Sequence, residues 1–97
     1  MATYVTLVNF TEQGARNIKD TIKRTDAAKQ AGAAAGVTIK EVLWTQGQYD
    51  IVIVSESNDE IAANAVILAA AKAGNIRTQV MRAFTAAEMQ KILDKIP

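Results

Sequence analysis

Trp44-Thr45-Gln46-Gly47-Gln48-Tyr49-Asp50 runs directly into Ile51-Val52-Ile53-Val54, and the architecture is organised around this stretch. Two β-branched segments, Val37–Thr45 and Tyr49–Ser55, flank a short polar turn, which is the pattern of a β-hairpin. Gly47 stands where such a turn calls for a positive φ. The returning strand is apolar at consecutive positions, not at alternate ones. A sheet covered on one side alternates, so this strand is expected to lie buried on both faces.

Outward from the hairpin the remaining elements follow. Thr3–Phe10 is rich in Val, Tyr and Thr and reads as a first strand. Thr11 is an N-cap for a long helix to about Ala35, with Ile18 and Ile22 on its buried stripe. Its Ala-rich end, Ala27–Ala35, is suited to close packing on a neighbour. Gly36 ends that helix as a C′ residue. Ser57-Asn58-Asp59-Glu60 matches a capping box, with Ser57 as N-cap of a second helix that runs to Ala73 and closes at Gly74-Asn75. Ile76–Phe84 is the fourth strand. Thr85-Ala86-Ala87-Glu88 is another capping box, opening a short helix through Met89, Ile92 and Leu93.

The order is βαββαβ plus a C-terminal helix: an α+β, ferredoxin-like plan with an antiparallel sheet backed by helices. Residues 1–97 are enough for a single domain with a single core. Two helices of one chain cover only one sheet face. A second copy of the sheet is the simplest cover for the other, so a homo-oligomer is expected, a dimer or higher, of the dimeric α/β-barrel type. The second helix argues the same way, being apolar nearly all round from Ile61 to Ala69.

Composition excludes several classes. A net charge of +1 offers no strong field to recruit nucleic acid or an anionic membrane, and neither partner is expected. Cysteine is absent, which removes disulfides, thiol chemistry and thiolate-held metals. Histidine is absent as well, and with it the commonest general base and metal ligand. No phosphate loop, dinucleotide fingerprint or nucleophile elbow occurs, so no cofactor is expected. Glu56, Asp59 and Glu60 lack the regular spacing of a cation site. The N-terminus lacks signal-peptide features, and Ile61–Ala73 is too short to span a bilayer, so a cytoplasmic location is the default expectation.

Several motifs occur in one order along the chain: Thr3-Tyr4-Val5, Gly14, Lys19-Asp20 with Lys23-Arg24, and Trp44-Thr45-x-Gly47-x-Tyr49-Asp50. Gly74-Asn75-Ile76-Arg77-Thr78 and Ala83-Phe84-Thr85 before Glu88 follow. In these the chain resembles the GYD-domain family, small ferredoxin-like proteins allied to the dimeric α/β barrels. Leu43 stands where relatives often have tyrosine, and Ser57-Asn58 replaces a proline-containing helix entry. The resemblance implies a fold and no particular chemistry. The Gly-x-Tyr-Asp strand with its capped helix also resembles the effector-binding domain of leucine-responsive transcription regulators, which bind amino acids between protomers.

Candidate functional residues gather near the strand ends. Trp44 and Tyr49 read either as a stacking wall for a planar ligand or as a cross-strand pair clamping the hairpin. Asp50 reads as a general base if its pKa is raised, or as an acceptor for turn amides or a nearby arginine. Arg77 and Arg82 differ by five positions and face opposite sides of the strand, so only one can enter a given cavity. Arg77, beside Thr78, is the better anion ligand, with a surface or inter-subunit ion pair to Asp50 or Glu56 as the alternative. Arg16, Lys19, Lys23 and Arg24 form a basic stripe best explained as a solvated face. Lys19 is additionally placed to reach a cleft mouth. Asn64 shares a face with Ile61 and Leu68 and requires partners if buried.

Three functional classes are consistent with these residues: a small-molecule binding module, a pure assembly module, and a cofactor-independent enzyme of monooxygenase or isomerase type. The enzyme is the least supported, because acid–base work would fall to Asp50, Tyr4 or Tyr49 with no base–nucleophile pair evident. The favoured reading is a non-catalytic oligomer that binds a small anionic or planar molecule. Its cleft would be lined by Lys19, Trp44, Tyr49, Asp50, Arg77 and Thr78.

Overall fold

The computed structural model describes residues 1–97. Strands β1 (Ala2–Phe10), β2 (Val37–Trp44), β3 (Ile51–Ser57) and β4 (Ile76–Ala83) form one antiparallel sheet in the order β2-β3-β1-β4. The helices are α1 (Glu12–Arg16), α2 (Thr21–Ala34), α3 (Glu60–Lys72) and α4 (Ala86–Leu93). This is the ferredoxin-like α+β plan expected from the sequence. Strand register fixes the faces. Tyr4 pairs with Ser55 and Arg82, Thr6 with Ile53 and Val80, and Val8 with Ile51 and Thr78, so these residues share one face. Tyr4, Val37 and Ala63 form the core there, with Ala2, Val66 and Val80 packed around them. That face lies beneath α2 and α3.

The single long helix expected from Thr11 to Ala35 is broken. Thr11 does cap α1, its side chain accepting from the Gly14 amide, but the chain turns at Asn17 through a 3₁₀ segment, Ile18–Asp20, before α2 begins. A 3₁₀ turn advances each residue by more than an α-helical step, so the buried stripe changes phase. Ile22 is consequently 62% exposed instead of buried, and Ile18 is exposed too. Thr21, Arg24, Thr25 and Ala28 turn inward in their place.

The cause of the break lies at the start of α1. A Cβ placed on Gly14 would overlap the Asn75 carbonyl oxygen. That oxygen accepts from the Thr11 amide at 3.0 Å, and the Thr11 hydroxyl donates to the Gly74 carbonyl at 2.6 Å. Gln13 Nε2 adds bonds to the Ala73 carbonyl and Asn75 Oδ1. Helix α1 is therefore fastened flat against the α3–β4 turn and cannot continue in the direction α2 must take.

Other caps differ in detail from expectation. The N-cap of α3 is Asp59, whose side chain accepts from the Ala62 amide at 3.0 Å. Ser57 ends β3 instead; its hydroxyl donates to the Gly36 carbonyl and accepts from the Asp59 amide. The Thr85–Glu88 capping box is present as read. The Thr85 amide, with Arg82 beside it, holds the Glu88 carboxyl below its usual pKa. Arg82 also lies 4.4 Å over the Phe84 ring and donates to the Thr3 carbonyl, tying the root of α4 to β1. Gly36 and Gly74, at φ 79° and 88°, end α2 and α3 in the left-handed conformation. Gly47 also has the positive φ its turn position calls for, 157°, a conformation that side-chain-bearing residues rarely adopt, within a hairpin loop that runs from Thr45 to Asp50.

Gly14→Ala forces the α1–Asn75 junction apart. It should lower the unfolding free energy by roughly 1–3 kcal/mol, the usual range for an added methyl group that nothing can accommodate. Chemical denaturation followed by circular dichroism measures this, and an unchanged midpoint would contradict the packing described.

Candidate functional site

Helices α2 and α3 stand apart over the sheet and enclose a cleft of about 650 Å³. Its floor is Val8, Ile51, Ile53 and Ile76, and its walls are largely alanine, including Ala28 and Ala31 from α2, Ala35 just after it, and Ala65 and Ala69 from α3. The short side chains that suit close helix packing here leave width instead. Hydrophobic residues make up 14 of the 18 that line the cleft, so whatever occupies it must be mainly apolar.

The four polar lining residues are Thr21, Arg24, Thr25 and Asn75. All lie at one end, where α2 begins and the α3–β4 turn passes. Arg24 Nη1 donates to the Asn17 carbonyl at 2.8 Å. Its Nη2 is shut off from solvent and has no acceptor among the protein's atoms. None of the ion pairs of the chain, Arg16–Glu12, Lys40–Glu56 and Arg82–Glu88, includes it. The sequence alone suggests a solvated stripe for Arg24, and the structure corrects that. The signal that finds it is its spacing, three residues after Thr21 and four before Ala28, which puts it on the inward stripe once the helix is known to start at Thr21.

The six residues singled out from the sequence do not line one cleft, because they are divided between the two faces of the sheet. Trp44 belongs to the helix side, where its indole donates to Thr21 Oγ1 at 3.1 Å beside the polar end of the cleft. Thr78 is on that side too and lines a small apolar pocket adjoining the cleft, between the sheet and α3. Tyr49 belongs to the opposite, open face, with its hydroxyl donating to Gln79 Oε1 at 3.2 Å. Trp44 and Tyr49 are therefore not a cross-strand pair; Trp44 pairs with Ile51. Arg77 pairs with Asn9 on the open face, is exposed, and forms no ion pair with Asp50 or Glu56. Arg77 and Thr78 are strand neighbours pointing opposite ways, so they cannot line one cavity of a single chain. Lys19 is exposed on the 3₁₀ segment and does not line the cleft.

Asp50 has a structural task. Its Oδ2 accepts from the Phe10 amide at 2.8 Å, its own amide donates to the Val8 carbonyl, and its carbonyl accepts from the Thr45 amide. These bonds close the end of the β1–β3 ladder, where backbone groups would otherwise be left unpaired. Asn64 is exposed and donates to the Glu60 carbonyl, so it needs no other partner. No group of three or more acidic side chains is gathered to hold a metal ion.

The open face carries Val5, Leu7, Val52 and Val54, with Leu43 (51% exposed) and Met81 (39%) flanking them. Both faces of the sheet are thus apolar, as the consecutive apolar residues of β3 imply. No helix is long and apolar enough to cross a membrane.

Comparison with solved structures places the fold. The chain is similar to MtbAldR, with a TM-score of 0.67 at 10% identity over 87% of this chain and 53% of that one. It spans about half the length of that protein. It is also similar to FFRP-DM1, with a TM-score of 0.60 at 20% identity over 87% of this chain and 100% of that one. A third similar structure is TTHA0845 from Thermus thermophilus, with a TM-score of 0.55 at 23% identity over 89% of this chain and 96% of that one. At such identities the likeness concerns the fold alone. No curated protein matches the chain. The GYD domain matches residues 4–93, nearly the whole length, and the chain belongs to the GYD-domain family.

Proposed function

We propose that this protein is a small homo-oligomer that binds a small anionic or planar molecule in the cleft between α2, α3 and the sheet. The observation that carries the reading is the cleft itself, an apolar chamber with a few polar groups converging at one end. Its volume of about 650 Å³ falls within the range of small-molecule sites. The four polar lining residues include no carboxylate, imidazole or thiol to move a proton, which favours binding over catalysis. Trp44 and Thr78, on the same side of the sheet, border this chamber. Tyr49 and Arg77 stand at the end of the open face, where they would meet a second copy. Asp50 keeps the strand end between the two regions closed, and Lys19 lies outside both.

A second reading, an assembly module without ligand, is favoured by the open face. Val5, Leu7, Val52, Val54, Leu43 and Met81 form a continuous apolar surface of the kind that soluble monomers rarely leave uncovered. Pairing sheet to sheet with a second copy buries it at the usual spacing of about 10 Å between sheets. The two readings share the oligomer and differ in the ligand.

Thermal denaturation with a panel of amino acids, small aromatic acids and neutral aromatic compounds separates them. A compound held at about a hundred times its dissociation constant stabilises the folded state by about 2.7 kcal/mol, so a binder raises the melting temperature in a saturable, concentration-dependent way. No response to any compound would leave the assembly module as the function. Light scattering at micromolar concentration tests the oligomer separately. The expected mass is a multiple of 10.4 kDa, and a well-folded monomer would contradict it.

A further inference from the structure

We propose that the ligand of the α2–α3 cleft is a monocarboxylate with an uncharged, apolar body, and that Arg24 binds its carboxylate. The inference rests on the binding reading above and narrows it to one chemical class. Arginine stays charged at every physiological pH and carries five donors. Here Arg24 is the one charged side chain among those that line the cleft; its Nη1 is bonded to the Asn17 carbonyl, and no carboxylate of the protein pairs with it. A cation without a counter-charge at the end of an apolar cleft favours an anion there, and a carboxylate matches the guanidinium fork.

The rest of the lining sets the limits of the class. Thr21 Oγ1 accepts from Trp44 Nε1, so its own proton is available to a second carboxylate oxygen. The Thr25 hydroxyl is already committed to the Ile22 carbonyl. No Asp or Glu lines the cleft, so the ammonium of an amino acid would enter without a counter-charge. No second cation lines it either, which disfavours dicarboxylates and phosphate esters. Beyond the polar end every lining residue is hydrophobic. An acyl or arylalkyl tail gains from that surface, whereas a sugar or a polar amide would lose its hydration there.

The test is titration calorimetry of the full chain with octanoate, octanamide, octanedioate and leucine, repeated on Arg24→Gln and Arg24→Lys. Octanoate should bind the unmodified protein about tenfold or more tighter than octanamide, the margin expected of a charge-assisted bond. Octanedioate and leucine should bind more weakly than octanoate. Arg24→Gln should bring octanoate down to the octanamide level while octanamide binding is kept, and Arg24→Lys should fall between. Equal binding of octanoate and octanamide by the unmodified protein overturns the proposal whether or not the variants fold. Octanoate binding that survives Arg24→Gln unchanged overturns it too, while leaving the cleft a binding site. If neither octanoate nor octanamide binds and the broader panel is also silent, it is the binding reading itself that fails.

Discussion

Helix α1 lies flat against the α3–β4 turn only because residue 14 has no side chain. The Asn75 carbonyl occupies the space a Cβ would need, and it is fixed there by the Thr11 amide. Much of the molecule follows from this contact. With α1 pinned, the chain must turn through Ile18–Asp20 before α2 can cross the sheet. That turn shifts the helical phase, exposes Ile22 and swings Thr21 and Arg24 toward the interior. The same junction holds Asn75 in the cleft lining, so the close approach bears on its polar residues from both α2 and the α3–β4 turn.

The sheet divides the chemistry in two. On the helix side, alanine-lined walls leave room over Val8, Ile51 and Ile53, and a cation stands at one end. On the open side, valines and leucines form an apolar surface, with Gln79, Tyr49 and Arg77 near one end. The first arrangement suits a small molecule and the second a flat protein surface. Asp50 sits between them and belongs to neither. By accepting from the Phe10 amide it holds the end of β1 in place, and so keeps both regions in register. A substitution there would disturb both regions together through the fold.

Sequence reading reaches the architecture because each strand carries its own signal. Thr3–Phe10 and Ile76–Phe84 are rich in strand formers, and the run Ile51–Val54 declares a sheet apolar on both sides. The Thr85–Glu88 box and the glycine at position 36 are legible for the same reason, since their chemistry is local. What is not legible depends on contacts distant in sequence. Nothing near Gly14 reveals that Asn75, far along the chain, will press against it, so the broken helix and the inward turn of Arg24 stay hidden. Ser57 and Asp59 are both good caps, and the choice falls to Asp59 because pairing with Ala2 and Val37 keeps Ser57 in β3. The candidate site is divided by side-chain alternation and the longer hairpin loop, which separate Trp44 and Thr78 from Tyr49 and Arg77.

The two faces of the sheet are proposed to take different occupants, a small molecule on the helix side and a second copy on the other. Methyl carbon–proton spectra during titration with octanoate address this most directly, because valine, isoleucine and leucine methyl groups report on both faces at once. Saturable shifts are expected at Val8, Ile51 and Ile53, with Val5, Leu7, Val52 and Val54 unmoved by octanoate and already broadened or shifted by dilution-sensitive pairing. Shifts confined to Val5, Leu7, Val52 and Val54, or spread evenly over both sets, would contradict this.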